Sequence, residues 1–116
     1  MEVPEEWELV SFFESDPLPT DPDEREFFGG LAFARDVGGG DVLHWSFSVP
    51  FRDMRLTLVR DATDRVVLVA REVASIRIER FHGVETLVAV FGRQPALQRA
   101  RLTLRPSFRI EWGLET

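Results

Sequence analysis

The alternation of apolar and polar side chains is the feature that most restricts the fold of this chain. In the segment VLHWSFSV (42–49), large apolar residues occupy every second position, with His44 and two serines between them. Successive side chains of a β-strand point to opposite faces of a sheet, so this period of two predicts a half-buried strand. Four further segments repeat the pattern: RDMRLTLVR (52–60), ASIRIERF (74–81), ARLTLR (100–105) and SFRIEW (107–112).

Two segments break the alternation because both of their faces are apolar. These are RVVLVA (65–70) and TLVAVF (86–91). Such strands are typical of positions that are covered on both faces, or of the centre of a sheet with another element docked outside. We expect a helix at the N-terminus to supply that cover.

Turn-forming residues separate the strands at intervals of roughly ten residues, as in all-β folds. The turn segments are GGGD (38–41), Pro50, DATD (61–64), HGVE (82–85), GRQP (92–95) and Pro106. The pattern predicts an all-β, or β-rich α+β, antiparallel meander of seven or eight strands. Either a barrel or a two-sheet sandwich satisfies it. The length of 116 residues suits a single domain, residues 1–116.

The first residues carry signals of a short helix within 1–14. In PEEWELVSFFE (4–14), proline and two glutamates precede the apolar residues, which suits the first turn and the positive end of the helix dipole. Trp7, Val10 and Phe13 or Glu14 are spaced to share one face, which we expect to be the buried one. Two further apolar residues widen this face, so a strand remains the alternative.

An acidic, proline-rich strap (15–26) lies between the helix and the predicted β-meander (27–116). Residues 1–30 hold ten acidic residues and one arginine, a net charge of −9, whereas residues 31–116 hold ten acidic residues and thirteen arginines, a net charge of +3. Three alternative roles are compatible with the sequence of the strap. It could be a solvated connector, a cover over the arginine-rich sheet, or a surface that binds a basic partner. The candidate partner-binding residues are Glu14, Asp16, Asp21, Asp23, Glu24 and Glu26. We call Glu14–Glu26 the acidic segment.

Few residues of the chain suit catalysis or metal binding. There is no cysteine, and the two histidines, His44 and His82, share no ligand spacing. His44 faces away from the apolar side of its strand and could meet Asp36 or Asp41, while His82 fits a hairpin turn. No serine lies in a nucleophile elbow and GGGD lacks the lysine of a phosphate loop. We therefore predict no enzyme, no cofactor and no metal site.

The arginines raise the question of nucleic-acid binding. Seven lie in or beside the central strands: Arg52, Arg55, Arg60, Arg65, Arg71, Arg77 and Arg80. Acidic residues are interleaved with them and the pI is about 4.9, so a nucleic-acid partner is not expected. No apolar run is long enough for a membrane span, and the acidic N-terminus does not resemble a secretory signal, so we predict a cytoplasmic protein.

The C-terminal half resembles the small all-β immunity proteins that bacteria encode beside polymorphic toxins. The similarity lies in REVASIRIERFHGVETLVAVF (71–91) and RLTLRPSFRIEW (101–112). It consists of a strand that ends in an acid and an aromatic, a short turn, an aliphatic strand, and a Pro-Ser-Phe step into the last strand. The resemblance implies an all-β fold and a protein partner, and it assigns no functional residues.

Taken together, these features predict a non-enzymatic protein-binding module, such as an immunity-like or antitoxin-like inhibitor of a basic toxin. The alternative is a small-molecule carrier whose cavity in a barrel or cleft is lined by aromatic residues: Trp45, Phe47, Phe108 and Trp112. A homodimer is a further possibility if the arginine-rich segment RLTLR (101–105) is an edge strand that meets the acidic segment of a second copy.

Overall fold

The predicted strands form in sequence order and pair with their neighbours along the chain. A computed structural model describes residues 3–18, 30–93 and 96–114. Its elements are α1 (Glu6–Phe13), β1 (Gly30–Gly38), β2 (Asp41–Ser48), β3 (Asp53–Arg60), β4 (Thr63–Ala70), β5 (Val73–Phe81), β6 (Val84–Arg93), β7 (Ala96–Arg105) and β8 (Arg109–Leu114). Sheet 1 has the antiparallel order β1-β2-β3-β4, and sheet 2 has the antiparallel order β5-β6-β7-β8. The all-β prediction is therefore confirmed, and the fold is the two-sheet sandwich rather than the barrel.

Two-residue turns join several strands as the sequence predicts. Asp61 and Ala62, between β3 and β4, have φ of 51° and 60°. His82 and Gly83, between β5 and β6, have φ of 50° and 79°. Two consecutive positive φ values match the right-handed twist of the flanking strands, which is why this turn is favoured in hairpins. His82 thus occupies the predicted hairpin turn.

The buried apolar side chains of the described residues form one cluster, which lies between the sheets. Phe33, Trp45 and Leu56 are register neighbours across sheet 1 and are buried, and Leu87 and Leu102 are register neighbours across sheet 2. Residues in register on adjacent antiparallel strands project from the same face, so these rows form the two inner faces of the sandwich. The core is thus built by the predicted alternation.

Helix α1 contributes to this core, but with a different face from the predicted one. Leu9, Phe12 and Phe13 are fully or almost fully buried, while Trp7 is 69% exposed. The predicted face that included Trp7 is therefore wrong. Positions i, i+3 and i+4 lie together on a helix, and Leu9, Phe12 and Phe13 have this spacing. Among the described residues, no helix is long and apolar enough to cross a membrane.

The two strands that are apolar on both faces have different environments. In β6, a central strand of sheet 2, Leu87 and Val88 point to opposite faces and each is 1% exposed. In β4, the last strand of sheet 1, Val66, Val67 and Val69 are 38%, 42% and 44% exposed. Coverage of β4 by the N-terminal helix was expected and is wrong, because the helix uses its apolar face in the core beside β1 and β2.

The segment RLTLR is not at a sheet edge. It belongs to β7, which pairs with β6 on one side and with β8 on the other. The predicted edge pairing of this segment with the acidic segment of a second copy is therefore wrong, since residues 101–103 pair with strands on both sides.

Candidate functional site

The helix ends at Glu14, the first residue of the acidic segment. Glu14 has a left-handed backbone (φ 53°, ψ 37°) and terminates α1. Its carboxylate forms ion pairs with the guanidinium groups of Arg105 on β7 and Arg35 on β1, the latter at 3.4 Å. Arg35 belongs to sheet 1 and Arg105 belongs to sheet 2. Glu14 therefore holds the beginning of the acidic segment against the body of the protein.

Arg105 is the centre of this contact. Its Nη2 donates hydrogen bonds to the carbonyl oxygens of Phe12 (3.1 Å) and Ser11 (3.2 Å). These are carbonyls of the last turn of α1, which lack partners within the helix and lie at the negative end of its dipole. Nε of Arg105 also donates to Oε2 of Glu85 at 2.7 Å. One guanidinium thus joins α1, Glu14 and β6.

The carboxyl group of Glu85 has a lowered pKa because of the arginines around it. Its partial burial acts to raise the pKa of its carboxyl group, but the hydrogen bond and charge of Arg105, together with the charge of Arg80, outweigh burial. The pKa of Glu85 is therefore lower than its ordinary value, because the charged form is the one that these two arginines stabilise.

The described part of the acidic segment lies along the edge of sheet 1. The backbone N–H of Leu18 donates to the carbonyl oxygen of Ala32 in β1 at 2.7 Å. Asp16 is exposed, and it forms no ion pair with any residue that the structure describes. The other candidate binding residues lie outside the described residues: Asp21, Asp23, Glu24 and Glu26.

Trp7 lies on the exposed side of α1 among acidic residues. The side chains of Glu5 and Glu6 are exposed next to it. Glu14 follows one heptad later, close to the same side of the helix. Sequence reasoning placed Trp7 in the core. The helical spacing of Leu9, Phe12 and Phe13 is the signal that could have shown it to be exposed.

The two histidines do not form a catalytic pair with carboxylates in the described structure. His44 lies opposite Ala34 and Thr57 in sheet 1 and is exposed. The predicted contact of His44 with Asp36 or Asp41 is wrong. Asp36 accepts a hydrogen bond from the Gly38 backbone, and Asp41 forms a two-point ion pair with Arg60.

The four aromatic residues proposed to line a cavity differ in burial: Phe108 is partly buried against the core, and Trp112 is 38% exposed. Trp45 and Phe47 are buried, and Phe13 of α1 lies against Phe33 and Trp45 with ring centroids 5.0 and 5.3 Å apart. The space beside Trp45 between the two sheets has a volume of about 10 Å³. That is room for no more than about one water molecule, so this space does not hold an organic ligand.

The seven arginines considered for nucleic-acid binding are divided between the two sheets. Three of them pair with acidic residues: Arg60 with Asp41 at 2.8 Å, Arg77 with Glu79 at 3.3 Å, and Arg80 with Glu85 at 3.3 Å. The other four make no ion pair with the part of the chain that is described: Arg52, Arg55, Arg65 and Arg71. Within residues 3–18, 30–93 and 96–114, no cluster of three or more His, Asp and Glu residues could hold a metal ion.

Comparison with known proteins relates this architecture to one solved complex. No protein-family model matches the chain, and no curated protein is significantly similar to it in sequence. Among solved structures, a chain of the contact-dependent growth inhibition toxin–immunity protein complex from Klebsiella pneumoniae 342 has the same fold. The match has a TM-score of 0.84 at 21% identity and covers 98% of this chain and 96% of that chain. The resemblance to immunity proteins that was drawn from residues 71–112 is thus confirmed at the level of the fold, over nearly the whole chain.

Proposed function

We propose that this protein is an immunity-like, non-enzymatic inhibitor that binds a toxin domain and blocks it stoichiometrically. The observation that carries the proposal is the fold similarity to a chain of a toxin–immunity protein complex, which extends over 98% of the protein. The residue chemistry agrees with it, because a stoichiometric inhibitor needs a complementary surface and no catalytic group.

We propose that the acidic segment and the exposed side of α1 form the toxin-binding surface. Trp7 would be its apolar anchor, since an exposed tryptophan with polar neighbours is typical of residues that dominate binding energy. Asp16, with the acidic residues at 21, 23, 24 and 26, would supply the charged contact to a basic toxin surface. Glu14 would act indirectly, because its carboxylate is already bound to Arg35 and Arg105.

This arrangement makes a prediction about association rates. The carboxylates of the acidic segment would attract a basic partner over distances that salt screens, and such steering raises the rate of encounter. Replacing Asp21 and Asp23 by asparagine should therefore slow association by about tenfold at low salt and much less at high salt. The partner is first isolated by pull-down from the native host, and association is then followed by stopped-flow fluorescence.

The matched control is the double substitution Asp61→Asn, Asp64→Asn at the β3–β4 turn. It removes the same charge from two exposed residues that are distant in sequence from the acidic segment. Asparagine tolerates the positive φ of position 61. Equal slowing by both double variants would show that net charge alone matters. That result would reject the acidic segment as the contact.

The apolar anchor is tested by Trp7→Ala. We expect the dissociation constant to rise about 30-fold or more, chiefly through faster dissociation, because a central tryptophan contributes about 2 kcal/mol or more. Phe81→Ala is the control, since Phe81 is an equally exposed aromatic in the β5–β6 hairpin. A loss of affinity with Phe81→Ala and none with Trp7→Ala would place the toxin at the β5–β6 hairpin instead of at the exposed side of α1.

A cytoplasmic location is part of the same proposal. The protein needs no disulfide, since it has no cysteine, and its fold therefore suits a reducing compartment. Fractionation of the native host with a specific antibody tests this, and recovery from an exported fraction would contradict it.

A further inference from the structure

A cleft of about 240 Å³ opens on the outer face of sheet 1, on the side away from the core. Its floor is a two-by-two arrangement of polar side chains from β2 and β3. Ser46 lies directly opposite Arg55, and His44 lies directly opposite Thr57. Cross-strand neighbours are about 5 Å apart and residues two positions apart along a strand about 7 Å, so the four groups converge on one small volume.

Two side chains of this floor, those of Thr57 and Arg55, make no hydrogen bond or ion pair with the residues that the structure describes. Thr57 is only 9% exposed, yet its hydroxyl makes no hydrogen bond to the residues that the structure describes. Thr57 lines the cleft, so its hydroxyl can donate to a ligand that enters there. Arg55 is exposed and has no ion pair with a described residue, including Asp53, which precedes it by two positions on the same face.

The chemistry of the floor suits a carboxylate. A guanidinium binds a carboxylate through two parallel N–H···O bonds, and such charge-assisted bonds are about twice as strong as neutral ones. The hydroxyls of Ser46 and Thr57 can donate to the remaining oxygen lone pairs. All of these groups project from strands within a hydrogen-bonded sheet, so their spacing is set in advance.

The border of the cleft indicates that the carboxylate belongs to a protein. Val69 lies directly opposite Arg55, and Val67 lies directly opposite Thr57, on β4. These valines are 44% and 42% exposed and continue the same face. A free organic acid would leave them in water, whereas a carboxylate side chain flanked by apolar residues would cover them and bury the charged contact.

We propose that the outer face of sheet 1 is a second contact surface, and that its cleft takes a glutamate or aspartate side chain of the protein partner. This inference depends on the proposed function in one respect only, which is the identification of the protein that supplies the carboxylate. The surface carries a charge opposite to that of the acidic segment, so the two surfaces together would fix the orientation of the partner.

The test measures binding of short peptides to the full chain without any toxin. The probes are acetyl-Val-Glu-Val-amide and acetyl-Val-Gln-Val-amide, followed by chemical-shift changes of backbone amides. We expect the glutamate peptide to shift amides of β2, β3 and β4, with an affinity at least about tenfold higher than that of the glutamine peptide. Acetate, which lacks the apolar flanks, should bind more weakly than the glutamate peptide.

Substitutions locate the site. Arg55→Gln should lower the affinity of the glutamate peptide by about tenfold or more, and the isosteric Thr57→Val by about threefold. Arg101→Gln is the control, because Arg101 is an exposed arginine on the outer face of sheet 2 without an ion pair among described residues, and it should change nothing.

Three results would overturn the proposal: equal binding of the two peptides, binding unaffected by Arg55→Gln, and acetate bound as tightly as the glutamate peptide. The last would identify a small organic acid as the ligand instead. Because no toxin is present, failure of the toxin-binding experiment with intact peptide binding would remove the proposed function and leave the cleft assignment standing.

Discussion

Strands β4 and β6 have similarly apolar sequences, but β4 is at the edge of its sheet and β6 is in the interior of its sheet. RVVLVA and TLVAVF are both apolar on both faces. In β6, Leu87 packs in the core and Val88 is equally buried on the other face, flanked in register by Arg77 and Arg101. In β4, three valines are more than a third exposed, and the strand pairs only with β3 in the described structure.

The difference shows that an apolar sequence makes a strand suitable for burial but does not determine whether the strand is buried. A central strand gains cover from a neighbour on each side, and the aliphatic stems of arginines can extend that cover over its outer face. An edge strand has one neighbour, so its apolar residues stay available. In this protein the apolar edge strand borders the cleft that we assign to a partner.

The largest contrast is expected from truncation of inward-facing residues. Leu87→Ala should lower the free energy of unfolding by about 2–5 kcal/mol, because it leaves a cavity in a closed core. Val66→Ala in β4 should lower it by about 1 kcal/mol or less, since the side chain is 38% exposed. Urea unfolding of both variants measures the contrast. Similar losses would mean that β4 is covered in solution, for example by a second copy.

A smaller contrast is expected from outward-facing residues. Val88→Thr places a hydroxyl in a position that is 1% exposed and should cost about 1–3 kcal/mol. Val67→Thr makes the same change where water is available and should stay within about 0.5 kcal/mol of the parent protein. Thermal unfolding of the pair is sufficient. An equal cost at both positions would contradict the exposed edge.

The smallest effect on stability is expected from the ion pairs of Glu85, near the start of β6. Glu85 has a lowered pKa in the folded protein, so the unfolded chain takes up this proton at a higher pH than the folded one. The stability that Glu85 contributes is present above its ordinary pKa of about 4.5 and is lost as the pH falls through the lower, folded value. Glu85→Gln should therefore flatten the acid side of the stability profile, measured as urea midpoints against pH. An unchanged slope would show that Arg105 and Arg80 do not stabilise this carboxylate.

Local sequence signals predicted the parts of the fold that depend on local geometry. The alternation in VLHWSFSV identified β2, and the turn at His82–Gly83 followed from backbone preferences that are set within two residues. The short helix was predicted for the same reason. These features require no knowledge of where distant segments lie.

The parts that were missed depend on long-range packing. The choice between barrel and sandwich, the edge position of β4 and the exposure of Trp7 each depend on which segments meet across the core. The binding of Glu14 by Arg105 joins residues that are 91 positions apart. No local period carries this information, and nothing in the sequence distinguishes the two arginines that bind Glu14 from the other twelve.

The neighbour-to-neighbour strand order also has a kinetic consequence. Every strand pairing described here joins segments that are adjacent in the chain, and proteins rich in such short-range contacts fold faster than β-proteins with distant pairings. We expect each four-stranded meander to grow from its hairpins, and the contact of Arg105 with Glu14 to form after the rate-limiting step. Arg105→Gln should then accelerate unfolding and leave the folding rate almost unchanged, which stopped-flow measurements in urea can determine. The N-terminal helix would be the last element to become attached and the first to be released.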